Sequence, residues 1–184
     1  TVGHGLNAPP ELIITKQPGV VSYWQTYAAP LGKDKLLQLN SNGAEISIAN
    51  YWGTNPPTAT VFGLSTNSGH NPASGLNIAY CFHSVTGFSK IGSYTGTGAN
   101  MTVDVGFEPA FVMIKNTTSS ASWHIFDNKR TAANPSTEAL FPNESSAAAD
   151  YNTVFEFTST GFNNKVTSTS LNSNGSKYVY LTFA

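Results

Sequence analysis

Tyr51 and Trp52 are the residues in this sequence best suited to hold a ligand. They lie in Ala49-Asn50-Tyr51-Trp52-Gly53-Thr54-Asn55-Pro56-Pro57, a polar stretch punctuated by Gly and Pro that predicts a surface loop. A flat aromatic ring flanked by amides suits sugar binding. The ring stacks on the apolar face of a pyranose, while Asn50, Asn55 and Thr54 reach its hydroxyls. A loop tryptophan can instead pack down onto the body beneath it or onto a neighbouring subunit, and the sequence leaves both readings open. On the ligand reading, Trp52→Ala leaves folding nearly intact and weakens binding.

Other chemistry lacks its ingredients. Asp104, Glu108 and Asp127 form the best carboxylate trio for a glycosidase, but Glu11, Asp34 and Glu45 in the first half fall at different places. His4, His70, His83 and His124 are scattered, with neither the two-ligand spacing of a helical zinc site nor the setting of a nucleophile elbow. Asp127-Asn128 and Asp150 offer oxygen ligands for calcium without the ordered loop that such a site uses, so they read as solvated turn residues. Cys81 is the only cysteine, which removes internal disulfides and cysteine zinc clusters. Its run, Ile78-Ala79-Tyr80-Cys81-Phe82, makes it a small core hydrophobe. A non-enzymatic chain with no catalytic residue, metal or cofactor is expected.

Composition agrees with a binding or structural role. Only 10% of the 184 residues are charged, and nine Lys and Arg nearly cancel ten Asp and Glu. That argues against nucleic acid and anionic membranes, which are bound through clustered positive charge. Hydrophobic residues at 40% and aromatics at 12% supply enough apolar surface for a packed core. No run of about 20 apolar residues is present to span a membrane. The chain opens at Thr1 without Met, which reads as a fragment of a longer polypeptide.

The elements that must position these residues come from an internal repeat. Pro10-Glu11-Leu12-Ile13-Ile14-Thr15-Lys16 matches Pro109-Ala110-Phe111-Val112-Met113-Ile114-Lys115, and Trp24-Gln25-Thr26-Tyr27 falls on Trp123-His124-Ile125-Phe126 at the same offset. Leu37-Gln38-Leu39-Asn40-Ser41 then resembles Leu140-Phe141-Pro142-Asn143-Glu144, and Val61-Phe62-Gly63-Leu64 resembles Val154-Phe155-Glu156-Phe157. Asn77 to Phe82 sits against Tyr178 to Phe183. Each segment is short, β-branched or aromatic, and bounded by turn formers, which predicts strands. Helical periodicity reaches one or two turns at most, over Ala132 to Leu140 and Ser145 to Tyr151. The expected fold is all-β, a β-sandwich or jelly-roll-like body formed by two copies of a duplicated β unit. The copies are residues 1–84 and 105–184, joined by a Gly-rich connector, 85–104, with one strand at most. One intimate body is preferred, because about five short strands would be marginal alone. Aromatics that recur in both copies, Trp24 with Trp123 above all, read as core.

The stretches Ile78 to Phe82, Gly87-Phe88-Ser89-Lys90-Ile91-Gly92-Ser93-Tyr94-Thr95-Gly96, Gly106 to Lys115, Trp123 and Tyr178 to Ala184 resemble a domain of tail fibre and tail-associated proteins of marine bacteriophages. The resemblance covers nearly the whole chain. It implies an extracellular virion location in a fibre or appendage, other virion proteins as partners and a homotrimeric state. A host-surface glycan is the implied receptor, with purely structural service in fibre assembly, or a tail-spike hydrolase, as alternatives. It transfers no catalytic residue.

Overall fold

The computed structural model of this chain describes residues 1–67, 70–71, 75–130, 134, 136–165 and 170–184. Among them there is no helix, and every ladder is antiparallel. The chain divides into two compact units: Thr1–Ser41 with Glu45–His83, and Asn42–Ala44 with Ser84–Ala184. Each unit has a buried cluster of its own.

The first unit carries β1 (Val2–Gly3), β2 (Leu12–Lys16), β3 (Gln25–Ala28), β4 (Lys35–Gln38), β5 (Ile46–Ser47), β6 (Val61–Phe62) and β7 (Ile78–Phe82). A five-stranded sheet runs β5-β4-β3-β2-β7, and β1 pairs with β6 in a separate ribbon. Ile13, Tyr27 and Leu36 from the sheet meet Tyr51, Trp52 and Phe62 in one buried cluster, with Cys81 packed against it. This is the setting that the apolar run around Cys81 predicts.

The second unit carries β8 (Ser89–Thr95), β9 (Met101–Asp104), β10 (Phe111–Asn116), β11 (His124–Asp127), β12 (Ser136–Ala139), β13 (Ala149–Thr158), β14 (Gly161–Asn164) and β15 (Lys177–Phe183). They form two four-stranded sheets, β11-β10-β15-β8 and β12-β13-β14-β9. Val112, Ile114, Phe126, Tyr178 and Tyr180 from one sheet share a core with Val103, Phe155, Phe157 and Phe162 from the other. The unit is therefore a β-sandwich, two apolar faces closed on each other.

Two expectations change here. The segment 85–104 is not a connector but an integral part of the sandwich, since β8 and β9 are edge strands of its two sheets. Its glycines misled because Gly92 is there for packing: it pairs with Tyr180 across the ladder, and a Cβ added to it would stand 2.4 Å from the Tyr180 hydroxyl oxygen. The short helical stretches hold no helix among the described residues: the first contains β12, and the second is irregular from Ser145 to Ala148 before β13 begins at Ala149. Long-range ladder pairing outweighs the weak helical preference of a few alanines.

The strand pairings of the two units can be laid on each other. Leu12↔Ala28 through Thr15↔Gln25 becomes Phe111↔Asp127 through Ile114↔His124 when 99 is added to every number. For the third strand, Leu12↔Phe82 becomes Phe111↔Phe183, shifts of 99 and 101. Asn40 Oδ1 accepts from the Trp24 backbone N–H at 2.9 Å, and Asn143 Oδ1 accepts from that of Trp123 at 2.8 Å. The rings differ nonetheless. Trp123 is buried, whereas Trp24 is half-buried and stacks on Tyr80 at 6.5 Å.

Candidate functional site

The turn from Asn50 to Asn55 is built on the loop before β4. Asn50 adopts φ 56°, a left-handed conformation that Asn tolerates better than most residues. Its N–H donates to Asp34 Oδ1 at 2.6 Å, and its amide oxygen accepts from Lys33 Nζ at 2.9 Å. The Trp52 N–H donates to the Lys33 carbonyl at 3.1 Å, and the Ser65 N–H to the Tyr51 carbonyl at 2.9 Å. The turn is thus fastened on both sides by backbone.

Its two aromatic rings point inward. Trp52 is 0% exposed and Tyr51 2%. Trp52 Nε1–H donates to the Lys35 carbonyl at 2.9 Å, and its ring meets Tyr27 and His70 edge-on, with centroids 5.6 and 4.6 Å away. Tyr51 lies flat on His70 at 4.3 Å and 3°. The expected exposed platform for a sugar ring is therefore overturned at Tyr51 and Trp52. A glycine contact makes the burial possible: a Cβ added to Gly63 would stand 2.7 Å from Gly53 Cα and 2.8 Å from the Trp52 carbonyl oxygen. The strand β6 can then close over the turn, and two large rings gain more from leaving water than from lying on it.

Asn50 and Asn55 remain exposed, as predicted. They line a cleft of about 500 Å³, with Thr54, Thr58 and Thr66 as further polar groups and Val61, Leu64 and Pro56 as apolar wall. Among the described residues no Asp, Glu, Lys or Arg lines it. The cleft can offer amides, hydroxyls and a small apolar surface, which is the chemistry of an uncharged polyol rather than of an ion.

The remaining candidates do not assemble into a reactive site. His70 is buried, and neither ring nitrogen is within hydrogen-bond geometry of a partner among the described residues; burial pushes its pKa down to about 4, against an opposing pull from the Tyr51 backbone. Burial likewise raises the Tyr51 hydroxyl to about 12. Both are neutral near pH 7 and closed to solvent, so they pack rather than transfer protons. His4 contacts the Thr58 carbonyl at 3.0 Å, and His124 is buried in the second unit against the Ser122 carbonyl at 2.9 Å. Asp104 accepts from the Gly106 N–H at 2.9 Å and Asp127 is tied to Arg130, so each carboxylate serves its own turn, while Glu108 lies exposed. Among the described residues no three His, Cys, Asp or Glu converge on a metal position, and the side chain of Asp150 lies outside the described residues.

Sequence reasoning missed Lys115. It is fully buried in β10, with Nζ donating to the Ala121 and Asn42 carbonyls at 2.6 and 3.1 Å, and burial pushes its pKa down to about 8. The match of Pro10 to Lys16 with Pro109 to Lys115 in the sequence held the signal, because Lys16, aligned with Lys115, donates to the Val20 carbonyl at 2.8 Å and so also fastens the loop that follows its strand.

Residues 1–184 match a family described as a domain of unknown function, DUF7483, and the chain belongs to that family. No curated protein and no solved structure matches the chain.

Proposed function

We propose that this member of DUF7483 is a non-enzymatic binding module that holds an uncharged glycan in the cleft beside Asn50 and Asn55. The observation that carries the reading is the lining of that cleft: amides and hydroxyls over a small apolar wall, with no Asp, Glu, Lys or Arg side chain among the described residues that line it. Sugar hydroxyls are matched by such groups, and Val61, Leu64 and Pro56 supply the apolar contact that the buried rings cannot. The resemblance to tail proteins of marine bacteriophages supplies the setting, a virion fibre or appendage facing the host surface with other virion proteins as neighbours. Sugar hydroxyls gain little net over water, so a single cleft binds weakly and attachment rests on many copies per particle. We also attribute the coincident strand registers of the two units to duplication of one ancestral β unit.

A glycan array probed with the isolated chain tests the reading. Reproducible hits on neutral glycans, weakened by Asn55→Ala at an unchanged melting temperature, are the expected result. Silence across host-surface glycans, or hits indifferent to Asn55→Ala and Thr66→Ala, would overturn it. Purely structural service within a fibre is the second reading, favoured by the apolar residues Ile78 and Tyr80 that β7 leaves exposed.

A further inference from the structure

Strand β7 is the end strand of its sheet, and no described strand pairs with its outer edge. Its counterpart by register, β15, has that same edge covered by β8, paired along its whole length from Lys177↔Thr95 to Phe183↔Ser89. The exposure of the two strands also differs. Ile78 is 45% exposed where Val179 is 2%, and Tyr80 is 47% exposed where Leu181 is 4%. The half-buried Trp24 stacks on Tyr80 and extends the apolar surface. One place in the pattern is filled by an extended strand in the second unit and by no described strand in the first.

Edge strands are usually protected by charge, proline, a bulge or brevity. The opposite end of the same sheet, β5, is only two residues long, and β8 exposes Lys90. Strand β7 has none of these devices: its five residues, Ile-Ala-Tyr-Cys-Phe, carry no charge and no proline, and its ladder to β2 runs without a register shift.

We propose that the outer edge of β7 pairs with β7 of a second copy of this chain, antiparallel about a two-fold axis at Tyr80. Ala79 of each copy then faces Cys81 of the other, and the Ile78 and Tyr80 rows meet on one face. An isologous pairing of this kind requires a strand compatible with itself, and a neutral apolar strand brings no like charges together. The two five-stranded sheets become one sheet of ten strands across the axis. This inference does not depend on the glycan reading. It also specifies a dimer, where the resemblance to fibre proteins implies a trimer.

Sedimentation of the intact chain from low micromolar to near-millimolar concentration, with hydrogen exchange on the same samples, tests it. The expected result is a concentration-dependent dimer, with the β7 amides that face away from β2 gaining protection as it forms. Tyr80→Lys and Ile78→Lys should each raise the dissociation constant by at least about tenfold. Both positions are nearly half exposed, so the folded circular dichroism spectrum should persist, and exchange on the unaltered chain decides the matter if either variant misfolds. A monomer throughout the range, or any oligomer, a trimer included, that forms without protecting β7 or ignores both lysine variants, overturns the proposal.

Discussion

Replacing Trp52 by alanine should be among the most damaging single changes to the first unit. The side chain is fully buried and packs edge-on against Tyr27, Tyr51 and His70. Truncating a buried tryptophan costs about 3–5 kcal/mol in lost transfer energy and cavity formation. Losing Nε1–H leaves the Lys35 carbonyl without that donor, which adds about 1 kcal/mol. The sum approaches the whole stability of a small domain, about 5–15 kcal/mol, so the first unit should unfold at a far lower urea concentration, or fail to fold. Because the second unit has a core of its own, far-ultraviolet circular dichroism should resolve two transitions, only one of them displaced. Trp52→Phe keeps most of the apolar volume and loses the hydrogen bond, for an intermediate cost of about 1–2 kcal/mol. Trp24→Ala removes a half-buried ring stacked on Tyr80 and should cost less, about 1–2 kcal/mol. This order reverses the one the sequence suggests. A Trp52→Ala chain destabilised by less than about 1 kcal/mol would refute the packing argument.

Three further outcomes follow from the same contacts. Burial holds His70 and His124 near pKa 4, below the ordinary 6.5, so the unfolded chain takes up protons first. Stability is then full above pH 6.5 and falls towards pH 4, by up to about 3 kcal/mol per imidazole. Urea melts at pH 7 and pH 4.5 should show this loss, and a His70→Phe, His124→Phe double variant that keeps the full slope would refute it. Gly63→Ala places a methyl within 2.8 Å of backbone atoms of Trp52 and Gly53, so the turn must shift; about 2–3 kcal/mol of lost stability is expected, and an unchanged melting temperature would contradict the close approach. Asn40→Ala and Asn143→Ala each remove the acceptor on a tryptophan backbone N–H and should cost about 1–2 kcal/mol, each in the transition of its own unit. Displacement of the wrong transition would count against that assignment.

The all-β class, the order of the segments and much of their pairing are legible in the sequence. Strand character is local, carried by β-branched and aromatic runs bounded by turn formers. The match of Pro10 to Lys16 with Pro109 to Lys115 extends to the ladder, since the partners of β2 and β10 differ by the same 99 positions. Asn50 and Asn55 stand at the surface because a polar turn rich in Gly and Pro belongs there. The tertiary structure alone decides where the rings of that turn go. Tyr51 and Trp52 are neighbours of exposed amides in the sequence, yet Gly63, ten residues beyond Gly53, lets β6 close over them, and Tyr27 and His70 complete the pocket from elsewhere in the unit. Lys115 is buried for a similar reason: carbonyls at Asn42 and Ala121 replace water around its ammonium, and neither adjoins it in the chain. Glycines at 92, 96 and 98 suggest a linker until the partner is known, because a glycine that frees a loop and one that admits Tyr180 look alike in sequence. Burial is set by which distant segments meet, and a local pattern specifies only what each segment can offer them.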